Sequence, residues 1–134
     1  MQINLEQTGL SNFYKSLYFL NEKMKGKMAE NIVELANGNE FEAFTKKGLV
    51  LMDFWADWCM PCLVMAPVME ELGKKFQGKI KFGKIDVDEN RELSERFHIH
   101  SIPNFILFKN GVIAEQFIGS MPKEDFEEKL RKHL

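Results

Sequence analysis

The sequence predicts a single α/β domain, with a central mixed β-sheet flanked by helices on both faces, preceded by an amphipathic helical extension. Three observations lead to this prediction. Helical and strand-like segments alternate along the chain, one strand-like segment is apolar almost throughout, and a strong hairpin turn lies near the C-terminus. Such alternation with short connections is typical of sheets whose parallel strands are covered by helices.

The composition narrows the class of protein. The chain has 134 residues, of which 45% are hydrophobic, and 18 basic side chains face 20 acidic ones. A protein without a basic excess does not bind nucleic acid by simple phosphate neutralisation. The apolar runs are far shorter than the roughly 20 residues that a membrane-spanning helix needs. Because the N-terminus has no secretory-signal pattern, we expect a cytoplasmic protein.

The first 29 residues differ from the rest, and we interpret residues 1–29 as an extension to a domain formed by residues 30–134. Apolar side chains in the extension follow helical spacing. They are Leu10, Phe13, Tyr14, Leu17, Tyr18 and Leu20. This stripe must bury against something. The alternatives are a helix that packs on the domain, a partly disordered extension, docking of a partner protein and self-association, and a membrane surface is the least favoured.

Nine elements are predicted in the domain. The strands are Ile32–Ala36, Leu49–Trp55, Ile80–Val87, Asn104–Lys109 and Val112–Ile118. The helices are Asn39–Lys47, Cys59–Phe76, Arg91–Phe97 and a last one that starts at Pro122. The nearly unbroken apolar run of the second strand is expected where both faces of a strand are covered.

Local signals fix the C-terminal part of this prediction. Asn110-Gly111 between two strand-like runs is typical of a two-residue hairpin turn. Proline suits the first position of a helix, as at Pro122. In the helix that follows, Phe126, Leu130 and Leu134 are expected to share one face.

The two cysteines are the most informative residues. Cys59 and Cys62 lie three residues apart, after the apolar strand and at the start of a helix. The free N–H groups and the dipole of a helix N-terminus stabilise a thiolate, which favours Cys59 as an attacking sulfur. Burial one turn further on would keep the pKa of Cys62 higher. Residues at this spacing are close enough for an easily opened disulfide.

The surrounding stretch resembles the active site of the thioredoxin family. It reads Asp53-Phe54-Trp55-Ala56-Asp57-Trp58-Cys59-Met60-Pro61-Cys62, followed by Ala66-Pro67. Later motifs match that family in the same order: Lys84-Ile85-Asp86-Val87-Asp88, Ser101-Ile102-Pro103, Phe108-Lys109-Asn110-Gly111 and Gly119. The resemblance covers roughly residues 30–134 and implies the thioredoxin fold with thiol–disulfide exchange.

The resemblance also implies a mechanism and its partners. Cys59 would attack a disulfide of a client protein, and Cys62 would resolve the mixed disulfide, so that the chain acts as a protein-disulfide reductase. It implies a cis Ile102–Pro103 bond beside Cys59. No cofactor is expected beyond the redox-active cysteine pair. Because no flavin, nicotinamide or metal site is apparent, electrons would come from a separate thioredoxin-reductase-like donor.

Other residues of the predicted site follow from burial and from the resemblance. Asp53 interrupts the apolar strand, where burial should raise the pKa of its carboxyl and make it a proton acceptor for Cys62. The family counterpart of Lys84 pairs with that carboxylate and would moderate the rise. The expected client-binding residues are Trp58, Met60, Pro61, Ile102, Pro103, Gly119 and Met121. Met60, Leu63 and Asn104 depart from the family pattern, which usually has Gly, a basic residue and Thr there.

Two other hypotheses remain at this point. Cys59, Cys62, His98 and His100 offer two thiolates and two imidazoles, a set that suits tetrahedral zinc. Alternatively, the domain is a binding module whose N-terminal helix docks a client and whose cysteines are secondary.

Overall fold

A computed structural model describes residues 31–134, and the predicted extension lies outside them. The strands are β1 (Ile32–Glu34), β2 (Leu49–Trp55), β3 (Ile80–Asp86), β4 (Asn104–Lys109) and β5 (Val112–Ile118). The helices are α1 (Gly38–Thr45), α2 (Met60–Lys75), α3 (Arg91–Arg96) and α4 (Lys123–Arg131). All nine predicted elements are present in this order. Within these residues, no helix is long and apolar enough to span a bilayer.

The strands form one mixed sheet in the order β1-β3-β2-β4-β5. The central strand β2 pairs in parallel with β3 and antiparallel with β4, while β4 and β5 form the predicted hairpin. At its turn both Asn110 and Gly111 have positive φ, at 50° and 83°, as this short connection requires.

Alternate residues of β2 face opposite sides of the sheet. On one side Leu51 packs with α2 and α4 through Leu72 and Phe126. On the other, Phe54 packs with α1 and α3 through Phe41 and Leu93. Helices therefore cover both faces, as predicted. Asp53 shares the Leu51 face of β2, and this strand alternation directs its carboxyl toward α2.

Two predictions at the C-terminus were wrong in detail. Pro122 caps α4 rather than starting it, because its ψ of 145° is extended and the first helical residue is Lys123. Phe126 and Leu130 are buried as expected, whereas Leu134 is 53% exposed. The helix ends at Arg131, so Leu134 no longer follows the helical face.

The end of α3 places a non-glycine residue in the left-handed region. His98 has φ 53°, and the adjoining Ile99 N–H donates to Ser94 O at 2.8 Å, which closes the helix. A side chain in this conformation costs about 1–2 kcal/mol, more than the conformational entropy that glycine loses.

We therefore expect His98→Gly to stabilise the protein by about 0.5–1 kcal/mol in urea unfolding. His100→Gly is the matched control. His100 has a negative φ, so its replacement by glycine should be neutral or slightly destabilising. Equal effects of the two substitutions would show that the backbone at His98 is not strained.

Candidate functional site

The two cysteines meet at the start of α2. Cys59 is the N-cap residue, and its side chain and that of Cys62 form a disulfide, with the Cα atoms 5.2 Å apart. Cys59 Sγ also accepts a hydrogen bond from the Cys62 backbone N–H at 3.2 Å. A sulfur atom thus satisfies an amide that a helix otherwise leaves unpaired at its N-terminus. Both residues are buried, with Cys59 4% and Cys62 5% exposed.

The loop before β4 approaches this disulfide from the side. The Ile102–Pro103 peptide bond is cis, which confirms that expectation. Ile102 O lies 3.8 Å from Cys59 Sγ. Pro103 O accepts a hydrogen bond from Gly119 N–H at 2.8 Å, so the end of β5 is held against the same loop. The structure therefore brings Ile102, Pro103 and Gly119 together beside Cys59, although they lie far apart along the chain.

The remaining expected client-binding residues differ in exposure. Trp58 is 70% exposed and Met60 47% exposed, with Pro61 also at the surface. Met121 is only half-buried and packs against the core cluster that contains Phe126. Three exposed residues that adjoin the cysteines in sequence, Trp58, Met60 and Pro61, are thus aromatic or apolar.

The strand that leads to the two cysteines carries a buried carboxyl group. Asp53 is 7% exposed, and its Oδ1 has no hydrogen-bond partner among residues 31–134. Burial raises the pKa of Asp53 from 3.8 to about 7, and the positive charge of Lys84 limits the rise. The cause is desolvation, which disfavours the ionised form of a carboxyl. This carboxyl is therefore able to change its protonation state near neutral pH.

Lys84 is placed differently from the simple pairing that the resemblance implied. It lies opposite Asp53 in the β2–β3 register and is itself 6% exposed. Its ammonium group stands 4.5 Å from the centre of the Trp55 ring, and it makes no ion pair with Asp53 within 4.0 Å. The charge of Lys84 thus acts on Asp53 through space, and a cation–π contact holds the amine.

Sequence reasoning missed two polar contacts at the site. Trp58 Nε1–H donates to Asp88 Oδ2 at 2.7 Å, which anchors the exposed indole. Gln116 Nε2–H donates to Asn104 Oδ1 at 2.9 Å, directly after the cis peptide bond. Topology gave a signal for the first contact, because Asp88 follows β3 and Trp58 follows the neighbouring parallel strand. For the contact between Gln116 and Asn104, the sequence offered no signal beyond the position of Asn104 after Pro103.

The zinc hypothesis requires four side chains around one point. In the part of the chain that the structure describes, no group of three or more His, Cys, Asp or Glu side chains is arranged to hold a metal ion. Both sulfurs are bonded to each other instead. The set of Cys59, Cys62, His98 and His100 is therefore not assembled here.

Comparison with known proteins decides the family. The thioredoxin family model matches residues 31–132. The chain belongs to the thioredoxin family. It is 46% identical over 99 residues to the thioredoxin of Bacillus subtilis (strain 168), covering 74% of this chain and 95% of that protein. It is 43% identical over 95 residues to the thioredoxin of Staphylococcus aureus (strain Mu50), covering 71% and 91% respectively.

Solved thioredoxins have the same fold. The thioredoxin of Malassezia sympodialis superposes with a TM-score of 0.71 at 29% identity, covering 76% of this chain and 90% of that one. The N21Q mutant thioredoxin from Halobacterium salinarum NRC-1 gives 0.72 at 29% identity, covering 76% and 89%. This thioredoxin-family protein is thus a thiol–disulfide oxidoreductase that reduces protein disulfides by dithiol–disulfide exchange at Cys59-Met60-Pro61-Cys62.

Proposed function

We propose that Cys59 is the attacking sulfur and Cys62 the resolving sulfur of this reductase. The observation that carries the assignment is the position of Cys59 Sγ at the N-cap of α2, 3.2 Å from the Cys62 N–H. In the reduced protein the same N–H donor and the helix dipole favour a thiolate at this position. Cys62 is the third residue of α2 and is as buried as Cys59, so desolvation favours the thiol at both positions. The N–H donor to Cys59 Sγ is what distinguishes the two sulfurs.

The exchange proceeds in two balanced steps. The Cys59 thiolate attacks one sulfur of the client disulfide, forms a mixed disulfide and releases the other client sulfur as a thiolate. Cys62 then loses its proton and attacks Cys59 Sγ, which releases the second client thiolate and forms the Cys59–Cys62 disulfide. Two electrons pass to the client, and the protein is oxidised.

We propose that Asp53 accepts the proton that Cys62 loses in the second step. Its raised pKa of about 7 places it near the range in which a general base works best at neutral pH. An unpartnered buried oxygen is also free to accept a hydrogen bond during the reaction. Lys84 keeps this pKa from rising further, so the carboxyl can release its proton again after each turnover.

The client backbone is proposed to dock beside Cys59, along the cis Ile102–Pro103 loop and Gly119. The exposed side chains of Trp58, Met60 and Pro61, which adjoin the cysteines in sequence, are proposed to supply apolar contact, together with the half-buried Met121. Such a surface favours clients with apolar residues around the disulfide.

We propose a separate thioredoxin-reductase-like protein as electron donor and the cytoplasm as the compartment. A reducing compartment keeps such a pair available as a dithiol. A role of residues 1–29 in docking a partner or in self-association lies outside the described residues and stays a prediction.

Alkylation of the reduced protein at graded pH tests the assignment of the two sulfurs. Iodoacetamide should modify Cys59 with a pH midpoint below that of free cysteine and Cys62 with a higher one, with mass spectrometry of peptides separating the two. Reduction of insulin with dithiothreitol as donor is measured on the same preparation. Equal midpoints for the two thiols would refute the assignment, even if insulin were still reduced.

A further inference from the structure

One side-chain hydrogen bond lies directly behind the loop that contacts the disulfide. Asn104 is the first residue of β4 and follows the cis Ile102–Pro103 bond. Its side chain is 1% exposed, and its Oδ1 accepts a hydrogen bond from Gln116 Nε2 at 2.9 Å. A buried amide oxygen that lost this donor would lack its partner, which is costly in the protein interior.

The register of the hairpin explains why this bond forms. Asn104 pairs with Ile118, and Ile106 pairs with Gln116, so Asn104 and Gln116 are diagonal neighbours on one face of the sheet. Among residues 31–134, β5 is at the edge of the sheet and pairs with β4 alone. Gln116 itself is exposed, and its side chain reaches inward to a buried acceptor.

A second bond holds the other side of the same loop. The Gly119 N–H donates to Pro103 O at 2.8 Å, on the far side of the Asn104–Ile118 pair. The start of β4 is thus attached to β5 by one side-chain bond and one backbone bond. Ile102 O, only two residues before Asn104, lies 3.8 Å from Cys59 Sγ. A shift of the first residue of β4 would therefore move the loop relative to the reactive sulfur.

We propose that Gln116 is a positioning residue, which through Asn104 fixes the Ile102–Pro103 loop at the distance from Cys59 that a client backbone requires. This inference rests on the proposed docking of clients along that loop. The side chain of Gln116 hydrogen-bonds to Asn104 and to neither cysteine, so it affects the binding of an extended client and not the exchange between sulfur atoms. A small disulfide without a peptide backbone does not need the loop.

The test compares two substrates in the full-length protein. Gln116→Met keeps the length of the side chain, adds no charge and removes the N–H donor, whereas Gln116→Lys keeps a donor on a similar stem. With insulin, Gln116→Met should raise KM by about 3- to 10-fold, the factor expected for one hydrogen bond, while kcat changes less than about 2-fold. The rate with dithiobis(nitrobenzoate), a small aromatic disulfide, should stay the same, and Gln116→Lys should restore much of the insulin KM.

Gln77→Met is the matched control, because it makes the same chemical change at an exposed residue in the turn after α2. It should leave both substrates unaffected. A wild-type insulin KM in Gln116→Met would overturn the proposal, as would equal losses with insulin and the small disulfide, since these would indicate damage to the disulfide chemistry itself. A KM that rises while Cys59 and Cys62 titrate alike would instead contradict the assignment of the two sulfurs, not the role of Gln116.

Discussion

Cys59→Ser should reduce insulin no faster than dithiothreitol alone. Cys62→Ser that has been reduced and then freed of dithiothreitol should stop after one half-reaction with insulin. Without the attacking sulfur no mixed disulfide forms. Without the resolving sulfur the mixed disulfide forms but is not released, because no second thiolate lies within reach. Non-reducing gels and intact mass measurement should show Cys62→Ser covalently bound to one client chain, and dithiothreitol should release it.

The two variants are matched controls for each other, since each replaces one buried sulfur by oxygen three residues from the other. Both should unfold cooperatively in urea. If Cys59→Ser instead accumulated the covalent complex, the roles of the two cysteines would be reversed. Wild-type turnover in Cys59→Ser would exclude the exchange mechanism at this pair.

Asp53→Asn should stabilise the oxidised protein above neutral pH and remove much of its pH dependence. Burial raises the pKa of Asp53 from 3.8 to about 7. Between these values the unfolded chain releases the proton while the folded chain retains it, so stability falls as the pH rises through this window. This difference in pKa corresponds to on the order of 4 kcal/mol in the free energy of unfolding. That stability is present below the pKa of the unfolded chain and is lost once the pH has risen above about 7. Urea unfolding from pH 4 to pH 8.5 measures the effect.

The stabilisation expected at pH 8 is about 2–4 kcal/mol, because the amide of asparagine is still a polar group to bury. Asp57→Asn is the matched control, as it removes an exposed carboxylate just beyond the same strand. It should leave the slope of stability against pH intact. Parallel pH profiles for wild type and Asp53→Asn would contradict the raised pKa.

Asp53→Asn should also slow the second step of the exchange, in which Cys62 attacks the mixed disulfide. Client release should then be slower and the mixed disulfide should persist longer.

The sequence predicted the order of the elements because its signals are local. The apolar run of β2 and the Asn110-Gly111 turn each specify a conformation within a few residues. Element ends were less accurate. The predicted strand Ile32–Ala36 stops at Glu34, although Leu35 N–H still donates to Lys84 O at 3.0 Å. Ends of this kind depend on which neighbour is available, and that is a property of the assembled sheet.

The same distinction between local signals and features of the assembled sheet applies to the site residues. The cysteine pair and Asp53 could be identified from the sequence, because the spacing and the polar interruption of an apolar strand are visible there. The amide pair behind Pro103 could not, since it joins side chains from two strands. The contact between Trp58 and Asp88 had only a topological signal, because both residues follow neighbouring parallel strands. The position of Lys84 over Trp55 also required the structure, because strand register alone predicts a neighbour and not the direction of a long side chain.

The sulfur cap of α2 couples folding to reducing power. The N–H donor of Cys62 meets Cys59 Sγ only when the first turn of the helix exists. Any preference for the thiolate that this donor creates is therefore a property of the native chain and vanishes on unfolding. Reduction and unfolding form a closed thermodynamic cycle. The free energy of reducing the Cys59–Cys62 disulfide must therefore differ between the native and the denatured chain by the same amount as the free energy of unfolding differs between the dithiol and the disulfide forms. Melting curves recorded in both oxidation states would give that difference without a redox electrode.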